Sequence, residues 1–130
     1  MENNKLYDLV IIGASAAGSA AAIYAARRGL NFVVVSQNIG GEVALSGVVD
    51  NWPGTIHTDG IKLADDFHQH VKSYGVKIDE GITVTDIQPE KNYHLVIAKD
   101  GSGAERTYQT KTVIIASGIH PRELGVPGEK

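Results

Sequence analysis

From Leu6 to Ile12 the chain reads LYDLVII, nearly unbroken in apolar residues after Asp8. A short apolar run without polar alternation predicts a strand covered on both faces, as in a parallel sheet. The pattern then changes to an alanine-rich helix over Ala16–Arg28. Arg27 and Arg28 fall in its last turn, where cations suit the helix dipole, and Gly29 is placed to end it. Asn31–Val35 is a second covered strand, closing a β-α-β unit of about thirty residues.

Gln37–Thr58 has neither helical nor strand periodicity and contains Gly40, Gly41, Gly47, Pro53 and Gly54. A loop of this length within one domain is expected to be functional. Asp59–Tyr74 is an amphipathic helix with Leu63, Phe67, Val71 and Tyr74 on one face, ended by Gly75. Val76–Ile78 is a short strand. Ile82–Ile87, Tyr93–Ala98 and Glu105–Thr110 alternate apolar and polar residues between turn signals, predicting a three-stranded antiparallel meander. Lys111–Ala116 (KTVIIA) is predicted as a further, fully covered strand, stopped by Ser117-Gly118. Residues 119–130, with two prolines and two glycines, read as an exit or linker. The chain has no internal repeat.

Composition narrows the function. With 130 residues, 42% of them hydrophobic, the chain can build one domain with its own core. Twelve Lys and Arg spread along a chain of net charge −3 make no basic face for nucleic acid. There are no cysteines, hence no disulfide and no redox dithiol within these residues. Leu9–Ala26 is uncharged for eighteen residues, but Glu2 and Asp8 accompany Lys5 before it, and Gly13, Ser15, Gly18 and Ser19 interrupt it. It therefore reads as fold rather than leader or membrane span, and the expected compartment is the cytoplasm.

The candidate chemistry lies between the first strand and the first helix. Gly13-Ala14-Ser15-Ala16-Ala17-Gly18 follows the pattern G-x-G-x-x-G with Ser15 in place of the middle glycine. A strand, such a turn and a helix leave main-chain N–H groups and the positive end of a dipole free for a diphosphate. The Ser15 hydroxyl could cap the helix or donate to a phosphate oxygen. A side chain at Gly13 is expected to meet the phosphate, losing the ligand rather than the fold. Gln37 lies nineteen residues after Gly18, where an acid ordinarily holds a ribose; a neutral amide can still bond it, and plain surface polarity is the rival reading. His68 and His70, two apart on a helix, do not share a face, and His57 and His120 lack ligand partners at useful spacing, so no metal site is expected.

Four blocks in order carry a resemblance. They are the opening turn and helix ending AAIYAARRG (Ala21–Gly29), Gly40-Gly41-Glu42, Asp50-Asn51-Trp52-Pro53-Gly54, and IIASGIHPRELGVPGE (Ile114–Glu129). Together they resemble the first FAD-binding segment of the thioredoxin reductase family, which includes the flavoprotein subunit of alkyl hydroperoxide reductase. The resemblance implies a Rossmann-like α/β domain: a mostly parallel sheet, helices on its faces, and an inserted antiparallel meander. It implies FAD as cofactor and NAD(P)H as co-substrate at a site outside this chain, with electrons passing to a disulfide or similar acceptor.

By the same resemblance, Gly13, Ser15, Ala16 and Gly18 form the pyrophosphate turn. Gly40, Gly41 and Glu42 match the family's GGQ beside the ribityl chain and flavin, with Glu in place of Gln. Asn51 lies near the flavin, Val84 contacts adenine through its backbone, and Ser117 and Gly118 approach the cofactor where the chain leaves the domain. Trp52 reads as a loop anchor under the cofactor. Residues 1–118 would be FAD-binding and 119–130 a linker toward an NAD(P)H domain. No residue here is a convincing acid, base or nucleophile. A thioredoxin-like acceptor and a homodimer of the full-length protein are implied, with no nucleic-acid or membrane partner. A stand-alone flavin- or adenine-nucleotide-binding module and a small NAD-binding domain remain as alternatives.

Overall fold

In the computed structural model, which describes residues 5–129, the first apolar run forms strand β1 (Leu6–Ala14). Helix α1 (Ala16–Arg27) follows after one residue and ends on Gly29, whose positive φ of 68° suits the turn away from the helix. Strand β2 (Phe32–Ile39) pairs parallel with β1, Val10 opposite Val33 and Ile12 opposite Val35. The uncharged run is thus divided between a strand and a twelve-residue helix, and no described helix is long and apolar enough to cross a membrane.

The glycine-rich stretch is more ordered than its pattern predicts. It holds the end of β2, the short helix α2 (Gly41–Leu45) and strands β3 (Val48–Val49) and β4 (Thr58–Asp59), which pair with each other. Elements of two to five residues are too short to show a period. Helix α3 (Gly60–Ser73) begins where Asp59 Oδ1 accepts the Lys62 amide at 2.8 Å. Leu63 and Val71 are buried as expected, but Tyr74 is exposed and stacks on His70, because it sits at the helix end, past the face against α1. Strand β5 (Ile78–Glu80) starts two residues later than expected.

Strands β6 (Ile82–Pro89), β7 (His94–Asp100) and β8 (Glu105–Ile115) complete one six-stranded sheet in the order β5-β2-β1-β8-β7-β6. The third meander strand and the separately predicted KTVIIA strand are one: β8 pairs antiparallel with β7 through Glu105–Thr110 and parallel with β1 through Gln109–Ile115. Asp8 fastens this junction. Its carboxylate accepts from Lys111 Nζ at 2.7 Å and from the Asn31 amide at 3.0 Å, and these bonds hold it below the usual carboxylate range. The second half of β8 is not fully covered, since Ile114 and Ile115 are exposed and only β1 lies beside it.

Alternation within β1 and β2 sorts the core into two layers. Leu9, Ile11 and Val34 pack with Ala22 and Ala25 of α1 and Val71 of α3, so both long helices cover one face. Val10, Val33 and Val35 point the other way and meet Ile82, Val96 and Ala98, because the antiparallel strands fold over the opposite face.

Candidate functional site

The C-terminal ends of β1, β2 and β8 converge with the start of α1. The first turn is set by backbone contact. Gly13 has φ 109°, and a Cβ there would fall on the carbonyl oxygen of Ala116. A Cβ on Gly18 would likewise fall on the carbonyl oxygen of Gly13. Glycine is required at both positions so that helix, turn and β8 can touch, as well as for any ligand. A valine at Gly13 would therefore damage the fold, which corrects the expectation that only ligand would be lost.

Ser15 occupies the N-cap position but makes no capping bond. Its hydroxyl donates to the Gly40 carbonyl at 2.6 Å, tying the turn to the β2–α2 connection. The amides of Ala16, Ala17 and Gly18 have no carbonyl one turn earlier to bond, so the helix presents donors and partial positive charge at this end.

In front of these amides lies a cleft of about 400 Å³. One end is formed by Val35–Asn38 with Ile82–Val84, the other by Gly41–Val43 with Ala116–His120, and Ile12–Ser15 run between them. Asn38 shapes the second end: its Oδ1 accepts the Gly41 amide at 3.2 Å. The register slips between Val84 and Asp86, a bulge that breaks the β6–β7 ladder beside the cleft. No described Lys or Arg lines it. A phosphate here would be held by amides and a helix end, with flat apolar groups accommodated beside Ile12, Val35, Val84 and Ile119. That donor set fits the diphosphate and rings of a dinucleotide.

Of the residues singled out from sequence, Gly13, Ser15, Gln37, Gly41, Glu42, Val84, Ser117 and Gly118 line this one cleft. Ala16, Gly18, Gly40 and Asn51 do not line it. Ala16 opens α1, Gly18 packs on Gly13, and a Cβ on Gly40 would run into Ala44 and Ala64. Asn51 is exposed in the β3–β4 loop, outside the cleft. Trp52 does anchor that loop, its ring 4.9 Å from Phe67 of α3, but it is likewise not in the lining.

The two loop histidines each meet one carboxylate: His57 Nδ1 lies 2.6 Å from Asp50 Oδ1, and His120 Nδ1 lies 2.9 Å from Glu42 Oε1. The second pair spans 78 positions, a separation that local spacing does not register. Asn38, Ile119 and His120 are cleft residues that sequence reasoning missed; only their neighbourhood to Gln37 and Gly118 hinted at them. Among the described residues no group of three or more His, Cys, Asp or Glu side chains could hold a metal.

A helix start facing the carboxyl ends of parallel strands, where connections leave β1 toward β2 on one side and β8 arrives on the other, defines a nucleotide-binding α/β domain. Residues 7–130 match the family described as pyridine nucleotide-disulphide oxidoreductase, and the chain belongs to that family. It is 36% identical over 131 residues to thioredoxin reductase of Bacillus subtilis, covering 100% of this chain and 40% of that protein. It is 36% identical over 127 residues to an alkyl hydroperoxide reductase subunit of Pseudomonas aeruginosa, covering 95% of this chain and 24% of that one. The solved thioredoxin reductase from Streptococcus pyogenes superposes with a TM-score of 0.83 at 36% identity, over 97% of this chain and 40% of its own. The chain thus spans well under half the length of these relatives.

Proposed function

We propose that this chain is the FAD-binding part of an NAD(P)H-dependent flavoprotein oxidoreductase similar to thioredoxin reductase, passing electrons from NAD(P)H through FAD to a disulfide or similar acceptor. The observation that carries the reading is the start of α1, with its unpaired first-turn amides, facing a cleft flanked by Ile12, Val35, Val84 and Ile119 and lined by no described Lys or Arg. When bound, FAD supplies the redox chemistry, and the protein supplies orientation and electrostatics. The amides of the first turn of α1 hold the diphosphate, with Gly13, Ser15, Ala16 and Gly18 giving that turn its shape. Val84 and Gln37 flank the adenosine half. Gly41, Glu42, Ser117 and Gly118 flank the flavin half, while Gly40 shapes the turn before α2 and Asn51, matched by the family resemblance, stands in the β3–β4 loop outside the cleft.

Residues 1–118 form the FAD-binding domain, and 119–130 lead toward an NAD(P)H-binding domain; residues 1–4 and 130 lie outside the described residues. Because the chain has no cysteine, the reacting dithiol belongs elsewhere, in the full-length protein or in a thioredoxin-like partner. The working state is a cytoplasmic homodimer of the full-length protein. Titrating FAD into the flavin-free protein, followed by quenching of flavin fluorescence, tests the reading. Saturable one-to-one binding of FAD, well ahead of NAD⁺ and AMP, is expected. Uptake of NAD⁺ or AMP in preference to FAD would overturn it.

A further inference from the structure

Among the nineteen described residues lining the cleft, only Glu42 and His120 carry ionisable side chains, and they are bonded to each other. Glu42 sits in the first turn of α2, and His120 follows Gly118, whose φ of 69° turns the chain back after β8. The pair joins two walls of the cleft with an Nδ1–Oε1 distance of 2.9 Å, its side chains 65% and 41% exposed for His120 and Glu42 respectively. A carboxylate lining a cleft that takes a doubly negative diphosphate opposes its ligand unless a cation accompanies it. Among the described residues no lysine or arginine of the lining does so.

We propose that His120 sets the net charge of the cleft: its imidazolium cancels Glu42, and loss of that proton leaves an uncompensated carboxylate that weakens binding of the anionic cofactor. The inference rests on the reading of the cleft as an FAD site. No other charged group described on the surrounding elements, among them Asp79 and Glu80 of β5 beside Val35 and Ser36, is in the lining. On α3, against which α2 packs, Lys62 is bound to Asp66 at 2.8 Å, Asp65 accepts from Gln69, and His68 faces a separate small cavity against α1. His57 is bound to Asp50 in the β3–β4 loop, while Arg122 and Glu123 continue the His120 segment beyond the lining. Imidazole is the side chain whose charge ordinarily changes between pH 5 and 8. The sign follows from charge alone: binding is tighter where the pair is neutral and weaker where the cleft carries one negative charge.

The test is the FAD dissociation constant of the full-length protein from pH 5.5 to 8, for wild type, His120→Gln, Glu42→Gln and the double variant. Wild-type affinity is expected to fall several-fold with rising pH, the scale of a partly exposed ion pair. His120→Gln should be weaker than wild type at the acid end and flat across the range. Glu42→Gln in that background should restore tight, flat binding, which a merely structural role for His120 would not produce. A His120→Gln protein with the wild-type pH profile, or a double variant as weak as His120→Gln, overturns the inference. A wild type that binds no FAD at any pH sinks the underlying reading as well, so the two failures are distinguishable.

Discussion

Replacing Tyr108 with Phe removes one hydroxyl from the face of the sheet opposite the helices and leaves a carboxylate short of a donor. Tyr108 is 7% exposed, its ring 6.5 Å from that of Tyr7, and its hydroxyl donates to Asp79 Oδ2 at 2.9 Å. Phe fills the same ring volume, so the perturbation is confined to the bond. A hydrogen bond to a charged acceptor contributes about 1.5–3 kcal/mol. Asp79 keeps a second partner, Lys77 Nζ at 3.2 Å, which places the loss toward the lower end of that range. The expected destabilisation at pH 7 is about 1.5–2 kcal/mol, a fall of about 5–7 °C in Tm for a chain of this size.

The pH dependence gives a second handle. Burial, followed by the bond to Asp79, pushes the Tyr108 hydroxyl well above the usual tyrosine range. A group whose folded pKa is raised stabilises fully below its unfolded pKa, and that stability is lost as pH rises toward the folded value. The gap between wild type and Tyr108→Phe should therefore hold steady to about pH 9.5 and then close by up to ~1.4 kcal/mol per pH unit. Urea unfolding of both proteins at pH 7, 9, 10 and 11 measures it. Equal stability at pH 7, or a gap that stays constant to pH 11, would refute the reasoning.

Further substitutions probe other parts of the fold. Ile11→Ala empties a fully buried position between β1 and the helices and should destabilise by about 3–4 kcal/mol in the same unfolding assay. Asp59→Ala removes the cap of α3 at a loss of about 1 kcal/mol, while Asp59→Asn retains most of it, as thermal melts would show. Gly18→Ala sets a methyl against the Gly13 carbonyl, so both Tm and FAD affinity should drop; unchanged affinity would separate the turn from the ligand.

The β-α-β opening was legible because its strands are covered on both faces and its helix is framed by a glycine turn and a glycine stop. Helix α3 was legible from its amphipathic period. The joint between Thr110 and Lys111 was not. Alternation gives way to an apolar run at the point where β8 leaves β7 and continues along β1, so a change of neighbour imitated a change of strand. The same run misled on burial, because β-branched residues such as Ile114 and Ile115 signal a strand whether or not anything covers it. Within the cleft, glycines at fixed offsets announced the turn, whereas His120 meets Glu42 only through the return of β8 beside β1. Ser15 shows the same limit: its type suited a cap, but the nearby Gly40 carbonyl takes its hydroxyl.

The central claim is that main-chain amides at the start of α1 hold a dinucleotide diphosphate. A crystal structure of the protein with FAD bound tests it most directly. The account predicts diphosphate oxygens within hydrogen-bonding distance of the amides of the α1 first turn, next to Gly13, with adenine beside Val84. FAD bound with its diphosphate away from that turn, or held there by side chains alone, would contradict it.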